Sequence, residues 1–117
     1  MSINNVLASV AVRDLNAAVK WYEKIFQRPP SRPMPEVAEW GFPGGGSLQL
    51  YELPERSGAG SFTLAVKNLD EEIARLRELR IGGGEPNSNE RVKTWMITDP
   101  DGNHIAFAEA FDSRLAQ

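Results

Sequence analysis

Val10-Ala11-Val12-Arg13-Asp14-Leu15 returns in altered form as Leu64-Ala65-Val66-Lys67-Asn68-Leu69, 54 residues later. Each copy ends a run of small aliphatic residues, adds one basic residue, and then places Asp or Asn before Leu. The aliphatic run alternates with period two, the pattern of a strand. Asp14 and Asn68 carry side-chain oxygens that can accept a free amide in the first turn of a helix. Both copies therefore encode a strand that runs straight into a capped helix. A second pair of stretches repeats as well: Leu48-Gln49-Leu50-Tyr51-Glu52 returns as Ile105-Ala106-Phe107-Ala108-Glu109, 57 residues later. The chain is an internal duplication.

Working outward, the first strand spans about Val6–Val12, with both faces small or apolar. A helix over 15–26 follows, its stripe made of Leu15, Ala18, Val19, Tyr22, Ile25 and Phe26 at 3–4 residue spacing. Trp21 lies off this stripe, a position suited to rim or dimer packing. Pro29, Pro30, Pro33 and Pro35 predict a stiff extended loop over 28–35. A hairpin then joins about Val37–Phe42 to Ser47–Leu53 through Pro43-Gly44-Gly45-Gly46. Residues 54–60 read as a linker. The second half repeats the plan. A strand over 61–66 leads to a helix capped by Asn68, with Glu71 three residues on as in a capping box. Its stripe is Leu69, Ile73, Leu76 and Leu79, its first turn is acidic, and Gly82-Gly83-Gly84 is its expected stop. Residues 85–92 allow a short edge strand, and Lys93–Thr98 is a strand. Asp99-Pro100-Asp101-Gly102-Asn103 is a tight turn, and His104–Ala110 is the last strand.

Composition narrows the chemistry. The 117 residues suit a single domain, expected over 1–117, with repeat one at about 5–54 and repeat two at about 60–111. There is no cysteine, which excludes disulfides, thiolate metal sites and a cysteine nucleophile, and fits a reducing compartment. The single histidine, His104, excludes any two-imidazole site within one chain. The formal net charge is −3 and the basic residues are scattered, so no nucleic-acid partner is expected. No apolar run approaches the ~20 residues that cross a bilayer, so no membrane partner is expected. Met1–Leu7 lacks the charged start and apolar stretch of a secretory signal, and the expected location is cytoplasmic. The two glycine triplets are not phosphate cradles, because neither precedes a capped helix start with Lys-Ser/Thr.

The strand-to-cap stretch Val10–Leu15, the following Trp21-Tyr22, and the turn Asp99-Pro-Asp-Gly-Asn103 leading into His104-Ile105-Ala106-Phe107 resemble the vicinal oxygen chelate superfamily. That group holds glyoxalase I, extradiol dioxygenases and bleomycin-binding resistance proteins. The resemblance covers nearly the whole chain. It implies an α+β fold of two βαβββ repeats forming a curved mixed sheet of about eight strands. Helices cover one face and a concave cavity lies on the other. It also implies a homodimer.

In the enzymes of this superfamily a divalent metal sits in the cavity, and its four ligand positions correspond here to Leu7, Gln49, Ser61 and Ala106. Leucine and alanine have no donor atoms, and serine and a lone amide are weak ligands. The expected state is metal-free and cofactor-free. The expected function is binding or sequestering a small organic ligand, with Leu7, Ser9, Gln49, Tyr51, Ser61, Thr63, Met96, His104 and Ala106 lining the cavity. The alternative is an enzyme with a displaced metal, or one using His104 or Tyr51 as proton carrier. His104 is either that base or a solvated residue beside a turn. Glu52 and Glu109, at matching repeat positions, are either a carboxylate pair or matched surface charges. The facings of Trp40 and Trp95 stay open, because one residue of register reverses them; alignment of the last turn with the family favours Trp95 in the core and Met96 on the open face.

Overall fold

The computed structural model describes residues 2–111. Met1 and residues 112–117 of the expected domain lie outside the described residues. The chain divides into two compact units. One takes the chain as far as Gly60, together with Pro100–Asn103; the other takes Ser61–Asp99 and the chain from His104 onward.

The first unit contains β1 (Leu7–Val12), α1 (Leu15–Phe26), β2 (Ser31–Met34), β3 (Val37–Gly41) and β4 (Ser47–Glu52), followed by a 3-10 turn at Pro54–Arg56. Its sheet runs in the order β1-β4-β3-β2, with β1 parallel to β4 and the other pairs antiparallel. The second unit contains β5 (Ser61–Ala65), α2 (Leu69–Glu78), β6 (Asn87–Ser88), β7 (Val92–Thr98) and β8 (His104–Ala110), in the sheet order β5-β8-β7-β6. The strands thus form two four-stranded mixed sheets of the same plan, where about eight in one sheet were expected. The first and last long strands of each repeat pair with each other in parallel, and this completes the ladder inside each unit. Register repeats too: Val10 faces Leu50 as Leu64 faces Phe107.

Each sheet packs one face against its own helix. In the first unit Tyr22, Phe26, Trp40 and Phe42 form an aromatic cluster, with Phe26 at 5.0 Å from Trp40 and 5.3 Å from Phe42 between ring centroids. Trp21 is half-buried and meets Tyr22 edge-on. In the second unit Trp95 packs against Phe107 at 5.7 Å. Both buried indoles find a partner, as buried Trp must: Trp40 donates to the Arg28 carbonyl and Trp95 to the Gly84 carbonyl.

Asp14 accepts from the Ala17 amide at 3.1 Å and Asn68 from the Glu71 amide at 3.2 Å, so both caps stand where the motif placed them. The end strands supply a second acceptor. Glu52 accepts from the Leu15 amide at 2.9 Å and Glu109 from the Leu69 amide at 2.7 Å. Two of the orphan donors at each helix start are thereby satisfied, with a negative charge at the positive end of the dipole. Each of these matched glutamates holds the helix of its own unit. Glu52→Ala and Glu109→Ala should each cost about 1 kcal/mol. The double variant should lose the sum in chemical denaturation. A loss below about 0.3 kcal/mol for each single variant would show that water replaces the carboxylate at no cost.

Three local expectations need correction. The proline-rich segment over 28–35 is not all loop, since Ser31–Met34 forms β2. Pro33 is tolerated there because β2 is an edge strand with an irregular register, so its missing N–H breaks no ladder. The second helix stops at Glu78, before the glycine triplet, with Arg80 taking the left-handed turn at φ 60° and the Ile81 amide donating back to the Leu76 carbonyl. Leu79 is consequently off the stripe and 45% exposed, while Ile81 is buried in its stead.

Candidate functional site: the open sheet faces

Strand alternation sends every second side chain away from the helix. In the first sheet, Leu7, Ser9 and Ala11 share that face with Ser47, Gln49 and Tyr51 and, on β3, with Val37, Glu39 and Gly41. Three cross-strand rows result. Ala11, Tyr51 and Val37 form a row whose outer members are buried. The rows Ser9–Gln49–Glu39 and Leu7–Ser47–Gly41 are more open, and Leu7 is 44% exposed.

The middle row is a continuous hydrogen-bonded chain. Ser9 Oγ lies 3.2 Å from Gln49 Oε1, and Gln49 Nε2 donates to Glu39 Oε1 at 2.8 Å. Chemistry fixes its direction. A carboxylate only accepts, so the Gln49 amide nitrogen must face Glu39; the amide oxygen then faces Ser9, whose hydroxyl must donate. The single proton of Ser9 is committed to Gln49, and the row keeps free acceptor oxygens together with one unused N–H of the Gln49 amide.

In the second sheet the corresponding face carries Ser61, His104 and Thr98 in one row and Thr63, Ala106 and Met96 in the next. Ser61, Thr63, His104 and Met96 are exposed, Met96 by 59%. Trp40 and Trp95 both point to the helix side, and Met96 takes the opposite face to Trp95.

The residues read from the sequence are thus distributed between two faces. Leu7, Ser9, Gln49 and Tyr51 are gathered on one, and Ser61, Thr63, Met96, His104 and Ala106 on the other. Glu39 escaped the sequence reading. Its signal is its parity with Val37 in β3, which becomes decisive only when the pairing Glu39–Gln49 is known.

The metal that the fold family implies does not suit these positions. Leu7 and Ala106 offer no donor. Both polar atoms of the Gln49 amide are engaged by Ser9 and Glu39. Among the described residues no group of three or more His, Cys, Asp and Glu side chains could hold an ion. Nor is any helix among them long and apolar enough to cross a membrane.

Residues 2–107 match the family model of the Glyoxalase/Bleomycin resistance protein/Dioxygenase superfamily. No curated protein matches the chain. Among solved structures, a glyoxalase/bleomycin resistance protein from Catenulispora acidiphila DSM 44928 is 32% identical, with a TM-score of 0.80; the match covers 92% of this chain and 98% of that one. TnmS3, an antibiotic binding protein from Streptomyces sp. CB03234, is 26% identical with a TM-score of 0.80, covering 94% and 98%. The oxidase ChaP-H2, at 20% identity and a TM-score of 0.74 over 93% and 94%, shares the fold.

Proposed function

This chain belongs to the Glyoxalase/Bleomycin resistance protein/Dioxygenase superfamily, and from that premise we propose that it binds and sequesters a small organic molecule, with the open sheet faces as the ligand surface. The observation that carries the reading is the state of Gln49. It stands at a position where the family's enzymes hold a metal ligand, yet both ends of its amide are tied into the row Ser9–Gln49–Glu39. A hydrogen-bonding row set beside exposed apolar groups such as Leu7 is the mixed lining that small-molecule sites use. The antibiotic-binding relative at 26% identity supports a drug-sized ligand. His104, Ser61 and Thr63 on the second sheet supply further polar contacts in the same role. The two repeats are proposed to work as one domain, and two copies of the chain to pair as a homodimer.

A thermal-shift screen against small organic compounds tests this. A compound at 100 times its Kd should add about 2.7 kcal/mol, raising the melting temperature by roughly 10 °C. Zinc, nickel, cobalt or manganese salts should leave the melting curve in place. Stabilisation by one divalent ion per chain, or a screen in which no compound stabilises, would overturn the reading.

A further inference from the structure

We infer that the row Ser9–Gln49–Glu39 recognises a protonated amine carried on an apolar body, with Glu39 as its counter-charge and Gln49 as the positioning residue. This rests on the reading of the open faces as ligand surface and names the class of ligand.

The argument starts from what Glu39 lacks. It sits mid-strand in β3, where Glu is disfavoured, and it is half-buried. A carboxylate partly withdrawn from water gains from a donor or a cation beside it. It receives one neutral donor, the Gln49 amide at 2.8 Å on Oε1. Its other oxygen meets no donor among the described residues, and no ion pair reaches it there. No Lys or Arg occurs anywhere in β1, β3 or β4. Arg28 and Arg32, which flank the start of β2, direct their guanidinium groups to the carbonyls of Gly41 and Pro35. Among the described residues, therefore, no cation is paired with Glu39.

The rest of the row matches. The donors run from Ser9 through Gln49 to Glu39, so the remaining lone pairs of Ser9 and the remaining carboxylate oxygen are left as acceptors, beside one unused N–H of the Gln49 amide. An ammonium group is donor-only and answers that arrangement. The apolar body has a place beside it. Leu7 lies in one adjacent row and Tyr51 in the other, each about 7 Å along the strand from the polar row. Tyr51 is half-buried and aromatic, a side-chain type that attracts cations. An anion would meet an uncompensated carboxylate, and a neutral donor would leave the charge unpaired.

A matched probe pair tests the inference: 1-naphthylmethylamine against 1-naphthalenemethanol, which differ in the charged head and share the body. Binding is followed by amide chemical shifts of the whole chain. The amine should bind roughly fivefold more tightly than the alcohol. Raising salt from about 20 mM to about 500 mM should weaken the amine and leave the alcohol unmoved. E39Q keeps the shape and the Gln49 contact; it should erase the amine's preference, bringing the two affinities to a ratio of about one. Q49L should reduce the preference by freeing the carboxylate to swing. Its crosspeak pattern checks that the sheet is intact, and the salt series on the unaltered protein stands whether or not either variant folds. Equal binding of the two probes, a preference that survives E39Q, or no response from either probe would overturn the amine assignment. The thermal-shift screen reads the broader ligand-binding proposal separately, so the two can fail apart.

Discussion

Asn103→Leu should lower stability by about 3 kcal/mol or more and the melting temperature by roughly 10 °C. Asn103 is wholly buried, and its side chain answers two backbone groups of the first unit. Nδ2 donates to the Ala11 carbonyl at 3.0 Å, and Oδ1 accepts from the Gly60 amide at 2.8 Å. Leucine is of similar size and can answer neither. Each orphaned buried group costs about 1–3 kcal/mol, far more than the net value of the bond when made. Urea denaturation of the variant decides it. A loss under about 1 kcal/mol would mean that water reaches the Ala11 carbonyl and the Gly60 amide, and that the side chain is replaceable.

Gly58→Ala should be at least as damaging, at about 3 kcal/mol or more. Gly58 has φ of +88°, where a Cβ is strained by about 1–2 kcal/mol before any contact is considered. A Cβ there would stand 2.2 Å from the Asp101 carbonyl oxygen. That atom belongs to the backbone of a tight turn and cannot swing aside as a side-chain tip could. The turn is pinned further by the Asp101 carboxylate, which accepts the Arg13 amide at 3.2 Å. The variant must therefore displace either the 54–60 segment or the turn itself. Circular dichroism melting reads the loss; a melting temperature within about 3 °C of the parent would show that the turn yields freely.

Both predictions concern Asp99-Pro100-Asp101-Gly102-Asn103, which illustrates where sequence reading stops. Its composition marks a tight turn, because Pro presets one torsion and Gly102 takes φ of +103°. Nothing local says that Pro100–Asn103 packs into the first unit while the strands on either side of it belong to the second. That knowledge rests on Ala11 and Gly60, 92 and 43 residues distant from Asn103.

Glu39 teaches the same lesson. A strand at 37–42 is legible from alternation, but which neighbour Glu39 meets depends on the register between β3 and β4. A slip of one residue would send it to the helix side and exchange it with Trp40. Glu52 and Glu109 were visible as a matched pair, yet their partners, the amides of Leu15 and Leu69, lie 37 and 40 residues away. Arg80 could not be foreseen as the left-handed residue when three glycines followed it, since intrinsic preference points to glycine.

By itself, then, the sequence determined the duplication, the strand–helix order of each repeat, the two helix caps, the absence of thiolate donors and of a second imidazole, and the family. Those properties follow from short-range periodicity and residue chemistry, which are written within a few neighbouring positions. Tertiary structure alone decided that the strands form two four-stranded sheets, that Gln49 is locked between Ser9 and Glu39, and that the last turn is held by the first unit. Each of these depends on hydrogen bonds between residues far apart in the chain, and such partners are chosen by register and packing rather than by any local pattern.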